Sequence, residues 1–144
     1  MYALALAFDG EGNDVLPPVL GIGVESERQA WLKEKGKQAK TFVWNPAEWT
    51  HYEKPHTQLD DDALGEACDY LNQLLSDKGS DAPAKKLLRE VVAELGKMDW
   101  KKRIRTTPDF LVYATDFELG ELKKNLKASA TPKQLEAFKK AGLI

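Results

Sequence analysis

The side chains with the greatest capacity for chemistry lie between positions 48 and 56. The two histidines of the chain, His51 and His56, lie there, and the carboxylates Glu48 and Glu53 flank them. Two imidazoles and two carboxylates are a ligand set that zinc accepts. However, the spacing of the histidines does not place them on one helix face, and Pro55 interrupts regular geometry between them. A solvated loop is therefore the favoured interpretation, and a small metal-dependent hydrolase that uses these residues is the alternative.

The other catalytic and cofactor-binding patterns fail on their spacing. Cys68 lies on the apolar stripe of a predicted helix, where a thiol is buried and unreactive. The segment Gly21-Ile22-Gly23 lacks the third glycine and the helix start of a dinucleotide fingerprint, so it predicts strand backbone only. The acidic turn after Asp9 lacks the Gly and the terminal Glu of a calcium loop. We therefore expect a non-catalytic domain with no cofactor and no metal.

Composition excludes several classes of protein. The chain has 144 residues with Lys+Arg 21, Asp+Glu 23 and net charge -2, whereas a nucleic-acid binder needs a basic excess. The one basic run, at 97–105, is interpreted as a solvated helix end. No apolar run approaches the roughly 18 residues of a transmembrane helix, and a single cysteine excludes an internal disulfide. We expect one domain over 1–144, cytoplasmic, with no nucleic-acid or membrane partner.

The most unusual segment is Trp44-Asn45-Pro46-Ala47-Glu48-Trp49. Tryptophan is enriched where protein interfaces concentrate their binding energy, which makes Trp44 and Trp49 candidate partner-binding residues. Large rings are nevertheless mostly buried, so a role in the edge of the core is the favoured interpretation. Both interpretations predict that the two indoles are held in place by packing.

The hydrophobic pattern alternates between strands and helices. Residues 2–8 alternate with a period of two and predict a strand, and 15–24 predict a second strand that starts late or lies at an edge because of Pro17 and Pro18. A capping box at Ser26 predicts a short helix, and residues 41–44 predict a third strand. Two central helices follow, then a central strand at 109–115 and a helix opened by Thr131. This order predicts an α+β fold, with a mostly antiparallel sheet of about four strands and helices packed on one face.

The order of these features resembles a known bacterial family. The strand Tyr2-Ala3-x-Ala5-Leu6, an acidic turn, the Trp-x-Pro-Ala-Glu-Trp segment at 44–49, two central helices and the strand at 109–116 recur together in it. The family consists of small proteins with a domain of unknown function, similar to immunity proteins encoded beside polymorphic or contact-delivered toxins. The resemblance implies a protein that neutralises a cognate toxin by binding and occluding it, and it implies no catalytic residues.

A run of acids supplies a candidate surface for such a partner. Asp60, Asp61 and Asp62, together with Glu48 and Glu53, could form an acidic face that attracts a basic toxin. The same aspartates also suit the amino end of a helix, where acids are favoured by unpaired N–H groups. We expect the protein to be a monomer or a weak homo-oligomer.

Overall fold

The computed structural model describes residues 1–9, 15–54, 59 and 61–144. Within them lie four strands, β1 (Ala3–Phe8), β2 (Val19–Gly23), β3 (His51–Tyr52) and β4 (Leu111–Asp116). The helices are α1 (Glu25–Glu34), α2 (Ala39–Trp44), α3 (Asp62–Lys78), α4 (Ala82–Leu95), α5 (Leu122–Ser129) and α6 (Pro132–Lys140). Short 3₁₀ turns occupy Gly36–Gln38, Pro46–Glu48 and Trp100–Lys102.

The four strands form one mixed sheet in the order β3-β2-β1-β4. β1 is antiparallel to β2, and β2 is antiparallel to β3. β1 and β4 run parallel, in a register that places Ala3 beside Leu111 and Phe8 beside Asp116. The predicted α+β fold with a four-stranded, mostly antiparallel sheet is confirmed.

Helices cover both faces of this sheet, rather than the one face expected. Alternation along β1 points Ala3, Ala5 and Ala7 into one core and Leu6 and Phe8 into another. The first core is completed by α2, α5 and α6, and the second by α3 and α4. The expectation of one covered face was wrong because both faces of β1 and β4 are apolar, and each needs its own cover.

Two further elements differ from their predicted form. Residues 41–44 belong to helix α2 instead of a strand, because this helix places the Trp44 ring against Tyr113 and Phe138, at centroid distances of 5.5 and 5.0 Å. Tertiary packing of this kind outweighs a local β preference. β4 is an edge strand rather than a central one, yet all six of its residues are buried because α4 and α5 pack along it.

Local signals at the helix ends are mostly confirmed. Thr131 and Gln134 form the predicted capping box at the start of α6. Helix α3 ends at Gly79, whose φ of 62° is the left-handed conformation that glycine adopts at little cost. At α1 the expected cap is absent: the helix starts at Glu25, one residue before Ser26, and its N-cap Val24 offers no side-chain hydrogen bond.

Candidate functional site: an apolar groove between α3 and α4

An apolar groove opens on the face of the sheet that carries α3 and α4. Its volume is about 420 Å³, and its floor is formed by β1 and β2. Every residue that lines it is apolar apart from the thiol of Cys68. The lining residues are Leu4, Leu6, Leu16, Pro18, Leu20, Leu59, Leu64, Cys68, Leu87, Leu88, Val91, Leu95 and Trp100.

The walls of the groove follow from the spacing of apolar residues on the two helices. On α4, Leu88 is buried, while Leu87 and Val91 lie one turn apart on the flank that faces the groove. On α3, Cys68 is buried and Leu64 lies one turn before it, beside the mouth. Leu64, Leu87 and Val91 remain 38%, 39% and 38% exposed, so the apolar surface reaches solvent.

The two walls are attached to the rest of the protein in different ways. α4 packs along β4 and α5, and Arg89 donates hydrogen bonds to Asn125 and Glu121 of the segment that forms α5. α3 is attached by Asn72, whose amide accepts from the Leu16 N–H at 3.3 Å and donates to the Leu16 carbonyl at 2.5 Å. Close backbone packing of the kind that joins α4 to β4 and α5 is not found between α3 and the other described elements.

The chain segments that follow Leu59 and surround Trp100, two residues of the lining, carry opposite charges. Residues 61–78 contain five acids and one lysine, whereas residues 97–105 contain five bases and one acid. In the basic run, Lys97 pairs with Glu94 and Lys102 with Asp99. No salt bridge joins an acid of α3 to another described residue.

Cys68 is the one groove residue with a reactive type of side chain. It is 6% exposed, as its position on the apolar stripe predicted. Burial, and to a smaller extent the charge of Asp69, raises the pKa of its thiol. The protonated thiol is a weak nucleophile, so Cys68 acts in the groove as a small apolar residue.

The structure places the two candidate tryptophans in the core. Trp44 is 1% exposed and donates its indole N–H to the Leu143 carbonyl at 2.8 Å. Trp49 is 4% exposed, donates to the Phe42 carbonyl at 3.0 Å and stacks edge-on against Tyr2. The favoured interpretation, in which both rings pack in the core, is confirmed, and their part in partner binding stays a prediction.

The candidate acids lie at the surface, where the structure describes them. Glu48 is exposed in the 3₁₀ turn before Trp49, and Glu53 is exposed just after β3. Asp61 caps α3 by accepting from the Leu64 N–H at 2.8 Å, and Asp62 is the first residue of that helix. Asp60 lies outside the described residues. The helix-capping role of the aspartates is therefore confirmed for Asp61, while their part in binding stays a prediction.

The structure does not assemble a metal site from the residues it describes. His51 is half-buried on β3, paired with Ile22 of β2, and His56 lies outside the described residues. Over 1–9, 15–54, 59 and 61–144, no three His, Cys, Asp or Glu side chains come together in a way that could hold a metal ion.

The best-connected charged cluster has a structural geometry. Arg28 of α1 is 8% exposed, pairs with both oxygens of Asp109 at 2.7 and 3.2 Å, and pairs with Glu25 at 2.6 Å. Its guanidinium also lies 4.7 Å from the centre of the Tyr2 ring. Burial opposes the charge of Asp109, but hydrogen bonds from Arg28 and Thr107 hold the pKa of this carboxyl below its usual value. The cluster joins α1 to the start of β4.

The glycines of β2 serve packing, in agreement with the expectation of plain strand backbone. A Cβ on Gly21 would lie 2.8 Å from the Pro46 Cβ, and one on Gly23 would lie 2.8 Å from the Tyr2 ring. These glycines therefore leave room for the Trp44–Trp49 segment and for Tyr2 to pack against the sheet.

Sequence reasoning missed the groove, although its residues carried a signal. Leu87 and Val91 recur at helical spacing with the other apolar residues of their helix. Together with Leu88, Val92 and Leu95 they make an apolar stripe that is wider than one buried face requires. The excess width indicated that part of α4 would remain uncovered.

The chain matches no protein-family model, no curated protein and no solved structure. Among the residues described, no helix is both long and apolar enough to cross a bilayer. The features that bear on function are therefore the α+β fold, the apolar groove on one face of its sheet and the acidic helix that forms one wall.

Proposed function

We propose that this chain is a non-catalytic protein-binding domain that neutralises a cognate bacterial toxin by binding and occluding it. The observation that carries the proposal is the groove between α3 and α4, where apolar side chains from two helices and two strands form one continuous surface open to solvent. Single exposed apolar residues are ordinary on a folded protein, but a contiguous apolar surface of this kind marks an interaction site.

The lining of the groove favours a protein partner over a small substrate. Sites for small molecules combine an apolar wall with a few polar groups that fix the orientation of the ligand. This lining supplies no acid or base besides the protonated thiol of Cys68, and the indole N–H of Trp100 already donates to the Leu95 carbonyl at 2.7 Å. Such a surface can bury apolar side chains of a partner but offers no group for acid–base catalysis.

The negative charge of α3 indicates what kind of partner surface would bind beside the groove. The acids of α3 have no salt-bridge partners among the described residues, and they favour a partner with basic residues beside its contact. The occupant we propose is an apolar segment of the toxin flanked by Lys or Arg. This agrees with the occlusion that the family resemblance implies, since a basic toxin surface would be covered by the bound domain.

The test is neutralisation in cells that express the products of the chromosomal neighbours of this gene. Val91→Asp places a charge in the groove, whereas Ile104→Asp is a matched control outside the lining, because the two residues are equally exposed at 38%. We expect Val91→Asp to abolish growth rescue and Ile104→Asp to preserve it. With purified proteins, Val91→Asp should weaken binding at least about thirtyfold, as loss of an interface hot spot does.

Two results would contradict this assignment. Full rescue by Val91→Asp, in a variant that remains folded by circular dichroism, would show that the toxin binds elsewhere. If Val91→Asp changes only the sedimentation of the free protein and leaves rescue intact, the occupant of the groove is a second copy of this chain.

The electrostatic part of the proposal has its own test. Glu66 and Asp69 are exposed on α3, away from its ends, so their reversal to Lys leaves the Asp61 cap in place. We expect Glu66→Lys/Asp69→Lys to slow association with the toxin several-fold at low salt and to have little effect at 0.5 M salt, because screening removes steering beyond roughly 4 Å at that ionic strength. Equal association rates of the double variant and the native protein at low salt would show that the acids of α3 do not steer the toxin electrostatically.

A further inference from the structure

We propose that α3 is a hinged wall of the groove, held closed by the paired hydrogen bonds between Asn72 and Leu16. Its consequence for toxin binding rests on the function proposed above, but the movement itself is a property of the free protein. The two walls, α3 and α4, are attached unequally to the rest of the protein.

α3 buries little of its surface against the rest of the protein. Over its 17 residues, Cys68, Asn72 and Leu75 are its buried residues, whereas Tyr70 is 69% exposed and Leu74 is 36% exposed. α4 likewise has three buried residues, Ala84, Leu88 and Val92, but it is also fastened to β4 by packing and to the α5 segment by Arg89. A helix with few buried contacts opens at a lower free energy than one that is part of the central core.

Apart from the backbone bond from the Ser80 N–H to the Leu75 carbonyl at the end of the helix, the hydrogen bonds between α3 and other described elements or loops are those of Asn72. Its side-chain oxygen and nitrogen bond to the N–H and C=O of Leu16, at 3.3 and 2.5 Å, and all four atoms are buried. The other side-chain bonds of α3, from Asp61 to Leu64 and from Gln73 to Asp77, stay within the helix and its cap. Within the described residues, Asn72 is therefore the side chain of α3 that bonds to the rest of the protein.

Leu16 is also a groove residue, so the fastening lies at the groove itself. Asn72 follows Cys68 by one helical turn, and the thiol of Cys68 lines the cavity that the fastened helix covers. When the two bonds break and α3 swings outward, the groove widens and the thiol becomes accessible. A toxin segment would then enter between α3 and α4 with less steric resistance.

Alkylation of the single thiol measures this opening without any partner. The comparison thiol is made in a Cys68→Ser background by Val92→Cys, a near-isosteric change at a residue of α4 that is 1% exposed. We expect Cys68 to react at least tenfold faster than the thiol at position 92, with a shallower dependence on urea, because local opening exposes less surface than global unfolding. Identical rates and urea dependence at both positions would overturn the proposal.

Asn72→Ala tests the fastening, with Gln73→Ala as the matched control on an adjacent exposed residue. Loss of two buried hydrogen bonds in Asn72→Ala should speed alkylation of Cys68 at least about tenfold, whereas Gln73→Ala should leave the rate within about twofold. An unchanged rate for Cys68 in Asn72→Ala would contradict the role of these bonds in holding the wall closed. If Asn72→Ala does not fold, the comparison of the two thiols with Asn72 intact still shows whether α3 opens locally. These experiments use the free protein without toxin. A result that contradicts the hinged wall therefore does not contradict the proposed neutralisation of a toxin.

Discussion

The placement of Trp44 in the core makes a strong prediction about stability. Its ring packs edge-on against Tyr113 and Phe138, its N–H bonds to the Leu143 carbonyl, and its own carbonyl accepts the Tyr113 hydroxyl. Truncation of a buried Trp to Ala removes this packing and leaves a cavity, which costs about 3–5 kcal/mol. The Leu143 carbonyl also loses its donor in a buried position, which adds about 1–3 kcal/mol.

Trp44→Phe separates these two contributions. Phenylalanine retains most of the ring packing but cannot donate to Leu143, so we expect this variant to lose about 1–3 kcal/mol in free energy of unfolding. Trp44→Ala should lose at least about 4 kcal/mol, and at a typical stability of about 5–15 kcal/mol that brings the protein close to unfolding at 37 °C.

Urea denaturation followed by circular dichroism measures both values. The control is Trp31→Phe on α1, since Trp31 is only partly buried and its nearest ring, Phe42, lies 6.3 Å away. We expect that variant to lose less than about 1 kcal/mol. A loss below about 1 kcal/mol for Trp44→Ala would refute the assignment of Trp44 to the core and favour its interpretation as a partner-binding residue.

Two further predictions concern a glycine of β2 and the ion pair between Arg28 and Asp109. Gly21→Ala should lower the free energy of unfolding by about 1–3 kcal/mol, because the added Cβ lies 2.8 Å from the Pro46 Cβ, and an unchanged urea midpoint would contradict this packing. Because the folded pKa of Asp109 is lowered, its contribution to stability is present above the ordinary carboxyl pKa of about 3.9 and is lost as the pH falls below it. Between pH 5 and 3 the urea midpoint should therefore fall more steeply for the native protein than for Asp109→Asn. Parallel curves would show that the Arg28–Asp109 pair is not what destabilises the native protein in acid.

Most of the fold could be predicted from local signals. Alternation in residues 2–8 predicted β1, the prolines at 17 and 18 predicted the late start of β2, and the apolar stripes predicted α3 and α4. These elements obey their local pattern because each buries one defined face. The capping box at Thr131 was correct for the same reason, since its hydrogen bonds are made within four residues.

What failed depends on contacts that are distant in sequence. Residues 41–44 have a β-like composition, but the helix they form is stabilised by Tyr113, Phe138 and Leu143, about 70 to 100 residues away. The second covered face of the sheet was missed because a row of alanines predicts close packing without saying which segment packs there. Small residues on β1 in fact accommodate the large Trp44 and Trp49 rings.

The candidate site was predicted in part only. The sequence drew attention to acids near the start of α3, and the described ones, Asp61 and Asp62, lie at the end of a helix that forms a wall of the groove. The groove itself could not be predicted, because it arises from the distance between α3 and α4, which no local pattern specifies. Its residues look like ordinary core residues until the spacing of the helices is known.

The most direct test of the account is alkylation of Cys68 in the presence and absence of saturating toxin. The thiol lines the groove and is the only one in the chain, so its rate reports on occupancy of the groove. Our account predicts that bound toxin slows the reaction at least tenfold, and that the toxin gives no such protection to Val91→Asp at the same concentration. An unchanged rate in a complex shown to be saturated would mean that the toxin binds without entering the groove.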